Sequence, residues 1–244
     1  MNVIRKIYIR NLTKVNNIII FVGGKGTRLG KITKKTPKPL IKFNKIAFLD
    51  YQINNLIKIK PKKIILLCSY KYKLFEKKYN NKYLDNTQII CVREKKLLGT
   101  GGSLEYSKKY IENNSLVCNG DTYFNYNFNK IHKIKFNNIF MFLVKNKIYK
   151  SNNKLTNLSL KKKFVVFKNK SKYMNSGFYL ISKKFKKFLK KGNNSLEDEI
   201  IQNLIKKKRV EAKILNAVHI DIGTVKNLNY FKKFSKNITL DNYS

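Results

Sequence analysis

NIIIFVGGKGTRLG, at residues 17–30, is the first landmark of the fold. Its first six residues are mostly apolar and β-branched, and the run stops at Gly23 and Gly24. This pattern is typical of a buried strand that ends in a glycine loop. Glycines at such a turn let backbone N–H groups approach phosphate oxygens with no Cβ in the way. The stretch therefore predicts a strand followed by a phosphate-binding loop.

Two common classes of phosphate-binding loop do not fit these residues. A Walker A loop closes on Gly-Lys-Ser/Thr, which is absent here, and Leu29 stands where the dinucleotide fingerprint needs its third glycine. A glycine-rich turn after a strand also occurs for purely structural reasons. The loop alone therefore leaves the function open.

Strands and helices alternate through the first half of the chain. We predict strands at 63–68, 88–92 and 116–119 and helices at 47–59, 71–79 and 102–111. This alternation is typical of a mostly parallel sheet that is covered on both faces.

The second half contains more strands and fewer helices. We predict strands at 139–144, 155–160, 164–167, 178–181 and 212–220. A helix from Ser195 to about Lys207 begins with a capping box formed by Ser195 and Asp198, and a last helix spans 225–234. These elements predict a mixed central sheet.

The chain has 244 residues and a formal net charge of +41, from 54 Lys and Arg against 13 Asp and Glu. Its length is typical of one domain, which we place at 17–244 after a short N-terminal extension, residues 1–16. Lysines occur along almost the whole chain, so we interpret the charge as a solvated coat and expect no specific nucleic-acid partner. A polyanion partner is the alternative. In either case the field attracts small phosphorylated substrates.

The three cysteines, Cys68, Cys91 and Cys118, lie in apolar runs and indicate buried free thiols rather than a disulfide framework. No apolar run reaches the ~18 residues of a membrane span, and the basic N-terminus lacks the apolar centre of a signal peptide. We therefore expect a cytoplasmic protein without a membrane partner. Ile4, Ile7, Tyr8, Ile9 and Leu12 predict that the extension packs on the domain.

A second motif, TPKPL at 36–40, holds Lys38 between two prolines in a stiff, extended setting. Together with GGKGTRLG at 23–30, it resembles the signature of the sugar-1-phosphate nucleotidyltransferases. The resemblance implies the three-layer α/β/α nucleotide-diphospho-sugar transferase fold, Rossmann-like with a mixed central sheet. It also implies a reaction that joins a sugar 1-phosphate to a nucleoside triphosphate and releases pyrophosphate.

Further segments extend the resemblance from about residue 17 to residue 234. LGTGGSL at 98–104, with Glu94, resembles the segment that lines the nucleobase pocket in this family. NGDT at 119–122 and DIGT at 221–224 resemble the motifs that carry two metal-binding aspartates, which implies Mg²⁺. NSGFY at 175–179 resembles the sugar-side segment. LGTGGSL, NGDTYF, SLEDEII and DIGT together most resemble the D-glycero-α-D-manno-heptose 1-phosphate guanylyltransferases, with the mannose-1-phosphate guanylyltransferases close by.

The resemblance assigns roles to individual residues. The catalytic residues would be Arg28, Lys38, Asp121 and Asp221, of which the two aspartates would hold the metal. Lys38 would clamp the phosphates of both reactants, and Arg28 would stabilise the developing pyrophosphate. The nucleotide would contact Val22, Gly23, Gly24, Gly26, Thr27, Arg28, Glu94, Gly99, Thr100 and Gly102. The sugar phosphate would contact Gly120, Lys170, Asn175 and Gly177. Residues 17–125 would form the nucleotide-binding half and residues 126–244 the sugar-binding half.

Several residues depart from the family pattern or admit a structural role. Asn169 stands where relatives have a glutamate before the lysine, and Asn125 and Asn127 stand where relatives often have aspartates. Either metal aspartate alone also fits a turn or helix-cap residue. We interpret His132 and His219 as structural histidines. The aromatic residues at 123, 124, 126 and 128 indicate core packing rather than base stacking.

Two other classes of function compete with the enzyme: a basic nucleic-acid-binding protein and a nucleotide-sugar sensor without catalysis. Retention of all four charged site residues favours catalysis. Within the family, the subfamily resemblance favours GTP with heptose or mannose 1-phosphate, while uridylyl, thymidylyl and cytidylyl transfer stay open. A homo-oligomer is compatible with the sequence.

Overall fold

One mixed sheet forms the centre of the protein in the computed structural model, which describes residues 14–145, 155 and 157–240. The strands of the described residues are β1 (Asn17–Phe21), β2 (Lys42–Phe43), β3 (Ile46–Ala47), β4 (Lys63–Cys68), β5 (Tyr83–Leu84), β6 (Thr87–Arg93), β7 (Ser115–Asn119), β8 (Thr122–Asn125), β9 (Ile139–Lys145), β10 (Leu158–Lys161), β11 (Phe164–Phe167), β12 (Tyr173–Ile181), β13 (Val210–Leu215) and β14 (Val218–Asp221). The large sheet has the order β10-β11-β13-β9-β12-β7-β1-β4-β6-β5.

The helices lie on the two faces of this sheet and at its edge. They are α1 (Lys31–Lys35), α2 (Phe48–Ile57), α3 (Tyr72–Tyr79), α4 (Gly99–Tyr106), α5 (Gln202–Lys206) and α6 (Val225–Phe234). A π-helical turn, Leu196–Ile201, leads directly into α5. Short 3₁₀ turns are Thr27–Leu29, Lys38–Leu40, Lys108–Tyr110, Phe128–Lys133, Lys183–Phe188 and Ser235–Asn237. Among the described residues, no helix is both long and apolar enough to cross a membrane.

Strand direction divides the sheet into two parts. Strand β1 pairs in parallel with β4 and β7, and β4 pairs in parallel with β6. Strand β12 then runs antiparallel to β7 and β9, which joins the second part to the same sheet. Parallel neighbours need crossover connections, which the helices α2, α3 and α4 supply. The carboxyl ends of β1, β4, β6 and β7 therefore meet at one edge.

Alternate residues of the central strands enter separate cores. Ile18 and Ile20 of β1 pack with α2 and α3, whereas Ile19 packs with α4 and α5 on the opposite face. All three side chains are fully buried. The α/β/α layering predicted from the sequence is confirmed by this alternation.

A third, aromatic core connects α6 to the small sheet of β8 and β14. The ring of Phe231 contacts the rings of Phe43, Phe48, Tyr51 and Tyr123 at centroid distances of 4.7 to 5.6 Å. Edge-on aromatic pairs of this kind add to the free energy of burial. The cluster fixes the small sheet, and with it residue 221, against the first half of the chain.

Most predicted elements are confirmed, but four have different bounds, and one of these is the predicted strand 155–160, which begins at residue 158. The predicted strand 212–220 is wrong as one element, because β13 ends at residue 215 and β14 leaves the main sheet to pair with β8. The predicted strand 178–181 begins earlier, at residue 173, with a register shift between Asn175 and Tyr179. The predicted helix 102–111 begins instead at Gly99 and ends at Tyr106. The sequence analysis also missed β8, α1 and the β2–β3 hairpin, which are too short to show a period.

The start of the second-half helix differs in its cap. The Ser195 hydroxyl accepts a hydrogen bond from the Asp198 amide at 3.0 Å, as predicted. However, the Glu199 carboxylate, not that of Asp198, accepts from the Ser195 amide at 2.8 Å. The reciprocal bond falls one residue later because the first turn is π-helical.

Residues 14–16 of the predicted N-terminal extension lie on the domain. Val15 is fully buried, and its amide donates a hydrogen bond to His132 Nδ1 at 3.2 Å. The contact gives His132 the structural role that we expected. The five apolar residues predicted to pack lie outside the described residues.

The three cysteines are free thiols. Cys68 and Cys118 are fully buried, as predicted, whereas Cys91 is only partly buried. Burial raises the pKa of the Cys118 thiol.

The glycines at the start of α4 pack against the segment 192–194. The Gly101 amide donates to the Asn194 carbonyl at 3.0 Å, and Gly99 adopts φ +66°. A Cβ on Gly102 would lie 2.0 Å from the Gly192 carbonyl oxygen. This contact with backbone explains why a helix with weak propensity forms here: tertiary packing overrides the cost of glycine.

We expect Gly102→Ala to lower the free energy of unfolding by about 1–3 kcal/mol, because the added methyl group must force two backbone segments apart. Gly24→Ala is the matched control, since a Cβ on Gly24 has no atom within 4 Å. Urea unfolding of both variants measures the difference. Equal stability of the two variants would contradict the close packing of α4 on residues 192–194.

Candidate functional site

The loop after β1 folds back onto the TPKPL segment. Gly26 is left-handed, with φ +67°, and its carbonyl accepts hydrogen bonds from Thr33 Oγ1 at 2.9 Å and from the Leu29 amide at 3.1 Å. A Cβ on Gly26 would lie 3.0 Å from Lys38 Cγ. The glycine is therefore needed both for its conformation and for the passage of the lysine side chain.

Lys38 is the first residue of a 3₁₀ turn that follows Pro37. Only 7% of the residue is exposed, and its ammonium group forms an ion pair with the carboxylate of Asp121. A buried charge is costly unless it is paired and hydrogen-bonded. The ion pair with Asp121 thus fixes the ammonium group of Lys38, whose backbone the two prolines are predicted to hold in place.

Gly120 brings Asp121 to the end of β1. Its amide donates to the Phe21 carbonyl at 2.9 Å. A Cβ at this position would lie 2.6 Å from the Phe21 carbonyl oxygen and 2.7 Å from Val22 Cγ1. Only glycine permits this approach, so Gly120 positions the aspartate that follows it.

Asp221 lies at the end of β14, where it pairs in register with Thr122. The Ile222 amide donates to the Asp121 carbonyl at 2.9 Å, which ties the two aspartate motifs together through the backbone. Burial and the nearby charge of Asp121 raise the pKa of the Asp221 carboxyl to about 6, while Lys38 and Arg28 act in the opposite direction. The two carboxylates therefore repel each other across one site.

Arg28 reaches the same site from the glycine loop. A Cβ on Gly223 would lie 3.3 Å from Arg28 Nη2 and 2.8 Å from Asp221 Oδ1. The Gly223 amide donates to Asp221 Oδ1 at 2.7 Å. The absence of a side chain at Gly223 leaves room for the guanidinium, which is exposed to solvent.

A cavity of about 250 Å³, the first cavity, opens at the carboxyl ends of β1 and β7. Its lining includes six of the residues predicted for the site. The lining residues are Phe21, Val22, Gly24, Gly26, Lys38, Pro39, Thr100, Asn119 and Asp121. The glycine loop, the TPKPL lysine and one of the two aspartates predicted to bind the metal thus meet at one opening.

A second cavity, of about 540 Å³, contains Glu94. It is lined by Lys35, Ser69, Lys71, Tyr72, Lys73, Leu74, Arg93, Glu94 and Lys95. Ser69 also lies beside the glycine loop, since a Cβ on Gly23 would be 2.8 Å from its amide nitrogen. The two cavities therefore lie on either side of the strand ends of β1 and β4.

Glu94 is 6% exposed and follows β6, where its amide donates to the Cys68 carbonyl at 2.8 Å. Burial raises the pKa of its carboxyl, and hydrogen bonds from Ser103 and the Leu98 backbone oppose this shift. A buried acceptor with a raised pKa in a cavity is typical of a binding group.

Not every residue predicted to contact the nucleotide lines these cavities. Thr100 lines the first, but Gly99 and Gly102 pack on the segment 192–194 and line neither. Thr27 is exposed in the loop. Gly23 and Arg28 also line neither cavity, and all the predicted contacts to a nucleotide stay predictions.

On the predicted sugar side, Asn175 is fully buried and accepts a hydrogen bond from the Gly177 amide at 2.9 Å. Gly177 has φ +74°, and a Cβ there would lie 2.7 Å from Nδ2 of Asn119, which lines the first cavity. Lys170 is exposed in a left-handed turn after β11 and lines neither cavity. Its contact with a sugar phosphate stays a prediction.

The histidine near Asp221 is held by the backbone. His219 Nε2 lies 2.9 Å from the Ser176 carbonyl oxygen. Burial lowers the pKa of the imidazole to about 4. A neutral, buried and hydrogen-bonded ring fits the structural role that we expected.

The aromatic residues beside Asp121 are part of the core. Tyr123, Phe124 and Phe128 are buried, and Phe124 contacts Phe178 at a centroid distance of 4.9 Å. Core packing is therefore confirmed for these three side chains, and Tyr126 packs partly buried against the same cluster.

The chain is similar to known proteins over most of its length. The profile of the nucleotidyl transferase family matches residues 17–237. The D-glycero-α-D-manno-heptose 1-phosphate guanylyltransferase of Campylobacter jejuni is 33% identical over 218 residues, which are 87% of this chain and 97% of the relative.

Two solved structures share the fold. HddC from Yersinia pseudotuberculosis, complexed with GMP-PN, aligns with a TM-score of 0.75 and 24% identity over 90% of this chain and 99% of its own. The inositol-1-phosphate CTP transferase from T. maritima aligns with a TM-score of 0.77 and 21% identity over 93% of this chain and 98% of its own. These relatives are named for different nucleotides, so the fold does not fix the base. The chain belongs to the nucleotidyl transferase family, as a sugar-1-phosphate nucleotidyltransferase.

Proposed function

We propose that the protein transfers a guanylyl group from GTP to a manno-configured sugar 1-phosphate, with heptose preferred to mannose, and yields a GDP-sugar for surface polysaccharides. The observation that carries the base assignment is the buried Glu94, which lines the second cavity and whose carboxylate accepts hydrogen bonds from Ser103 and the Leu98 backbone. Support for the sugar comes from the full-length similarity to the heptose enzyme.

The reaction is an in-line displacement at the α-phosphorus of the triphosphate. An oxygen of the sugar phosphate forms the new P–O bond, and the bond to the bridging oxygen of the β-phosphate breaks, so pyrophosphate leaves. The protein has to align the reactants and neutralise charge. In this proposal Lys38 binds the phosphates of both reactants, and Arg28 stabilises the developing pyrophosphate.

The amides of the glycine loop supply the remaining contacts to phosphate. Gly24 and Gly26 line the first cavity. A Cβ on Gly24 would have no atom within 4 Å, so its backbone faces open space. Backbone N–H groups without side chains beside them suit the oxygens of a triphosphate.

Asp121 and Asp221 fit a magnesium ion. Mg²⁺ prefers oxygen ligands and usually takes one or two carboxylates together with substrate phosphates and water. The described residues include no group of three or more His, Cys, Asp or Glu that would form a full protein cage. A cation between the two carboxylates would relieve their repulsion. The same ion would also bind the phosphates of the substrate and neutralise their charge.

Guanine recognition follows from the chemistry of Glu94. Guanine presents N1–H and N2–H donors, which a carboxylate can accept together, while adenine offers the opposite donor and acceptor at that edge. With adenine, an acceptor would face the carboxylate where guanine donates, and loss of a hydrogen bond to a charged group costs about 1.5–3 kcal/mol, enough to reject adenine. Uracil and thymine also carry an N–H group, so pocket size must exclude them.

The proposal places the enzyme in the cytoplasm, in keeping with three free thiols and soluble, phosphorylated substrates. The charge of +41 is then a field that attracts these anions rather than a nucleic-acid site.

We expect Asp221→Asn to reduce kcat for pyrophosphate release by about a hundredfold or more, because a hard anionic ligand is lost. Thermal stability should stay equal or rise, since the folded state disfavours the charge on Asp221 at neutral pH. The asparagine Oδ1 can still accept from Gly223. Asp85→Asn, an exposed turn residue, is the control that keeps both properties unchanged. Normal turnover in Asp221→Asn would exclude it from the metal site.

The base assignment is tested with GTP, UTP, dTTP, CTP and ATP against heptose and mannose 1-phosphates, scored by pyrophosphate release. We expect kcat/KM to favour GTP by about tenfold or more. Glu94→Gln should lower kcat/KM for GTP and narrow its advantage over UTP by about tenfold, because the amide offers one donor and one acceptor. A tenfold preference for another triphosphate would defeat guanylyl transfer and leave the family assignment standing.

A further inference from the structure

A chain of hydrogen-bonded side chains connects the predicted nucleotide side of the site to the predicted sugar side. At its centre is Glu197, in the π-helical turn before α5. Thr100 Oγ1 donates to Glu197 Oε2 at 2.7 Å, and the Tyr179 hydroxyl donates to Glu197 Oε1 at 3.3 Å. Asn175 Nδ2 donates in turn to the Tyr179 hydroxyl. One carboxylate thus accepts hydrogen bonds from α4 and from β12, two elements of the site that are distant in sequence.

Each proton in this chain has one assigned place. Thr100 Oγ1 accepts from the Leu196 amide at 2.9 Å, so its own proton points to Glu197. The Tyr179 hydroxyl accepts from Asn175, so its proton also points to Glu197. Burial raises the pKa of the Glu197 carboxyl, and the bonds from Thr100 and Tyr179 oppose that rise. The ionised carboxylate accepts both bonds, whereas a protonated acid or an amide would present a donor to one hydroxyl.

Both ends of the chain reach the first cavity. Thr100 lines that cavity directly. At the other end, Asn175 holds the Gly177 amide at 2.9 Å, and Gly177 packs closely on Asn119, which also lines the cavity. Tyr179 and Asn175 are fully buried, so a lost bond leaves polar atoms without water.

We propose that Glu197 is a positioning residue for both substrates: through Thr100 it sets the nucleotide side of the site, and through Tyr179 and Asn175 it sets the sugar-phosphate side. Glu197 does not line either cavity, so it acts through its partners. The proposal rests on the subsites proposed above for Thr100 and Asn175. It predicts that one substitution weakens both subsites, whereas a substitution on one arm weakens one.

The central experiment is Glu197→Gln, with initial rates measured as each substrate is varied. We expect KM for the triphosphate and KM for the sugar 1-phosphate each to rise by about tenfold, with the midpoint of thermal unfolding nearly unchanged. Glu105→Gln is the matched control, because it removes one negative charge from the surface of α4, where Glu105 pairs across one turn with Lys108. Both KM values of the control should stay within about twofold of the wild type.

Tyr179→Phe removes the sugar-side arm and leaves the bond between Thr100 and Glu197. It should raise KM for the sugar 1-phosphate by about tenfold and change KM for the triphosphate by less than about twofold. In the double variant with Glu197→Gln, the rise in KM for the sugar 1-phosphate should equal that of Glu197→Gln alone, because both changes break the same arm. If Glu197 had only a structural role, Glu197→Gln would lower the midpoint of thermal unfolding, and the two variants would not differ in which KM values they raise.

Thr100→Val separates failure of the network from failure of the subsite assignment. A rise in KM for the triphosphate supports both the hydrogen-bond network and the assignment of Thr100 to the nucleotide side. A rise confined to KM for the sugar 1-phosphate overturns that assignment of Thr100. The proposal for Glu197 is overturned if Glu197→Gln changes KM for one substrate only or for neither. If that variant does not fold, unchanged KM values in both Thr100→Val and Tyr179→Phe overturn it.

Discussion

The ion pair between Lys38 and Asp121 is the interaction on which the site depends. It joins the TPKPL turn, near the start of the chain, to the end of β7, and both side chains are largely withdrawn from solvent. Two buried charges are tolerated here because they neutralise each other. Removal of one would leave the other buried and unpaired. Gly26 and Gly120 permit the pair, since a Cβ at either position would collide with its neighbours.

The pair also determines the electrostatics around it. Asp221 lies close enough to Asp121 for the charge of one to raise the pKa of the other, and Lys38 and Arg28 oppose this effect. In the substrate-free site Lys38 and Arg28 therefore balance the two carboxylates, and a metal ion would have to take the place of Lys38 at Asp121. We infer that Lys38 occupies Asp121 as an internal counter-ion before a metal and phosphates arrive. Like charges that are kept close together despite their repulsion are common at functional sites, where they lower the stability of the fold.

The scarcity of acidic residues made much of this site predictable. With 13 acids in 244 residues, an aspartate at a strand end next to glycine carries information. Some buried acids are nevertheless structural: Asp50 accepts hydrogen bonds from Tyr79 at 2.7 Å, and Glu211 pairs with Lys163 at 2.9 Å. Local motifs predicted β1, the glycine loop, Lys38 and the two aspartates. They did not predict that Lys38 pairs with Asp121, that β14 leaves the main sheet, or that Glu197 links Thr100 to Tyr179. Each of these depends on contacts between residues far apart in sequence, which no local period shows.

The central claim, that Asp121 and Asp221 form a cation site held in balance by Lys38, is tested most directly with Lys38→Met. Binding of Mn²⁺, as a probe for Mg²⁺, is measured by electron paramagnetic resonance in the substrate-free protein, with the exposed Lys42→Met as the control for charge. We expect Lys38→Met to bind Mn²⁺ about tenfold more tightly than the wild type, because the cation no longer competes with Lys38 for Asp121. Pyrophosphate release should fall by about a hundredfold or more. Mn²⁺ affinity that is unchanged or weaker in Lys38→Met than in Lys42→Met would contradict it.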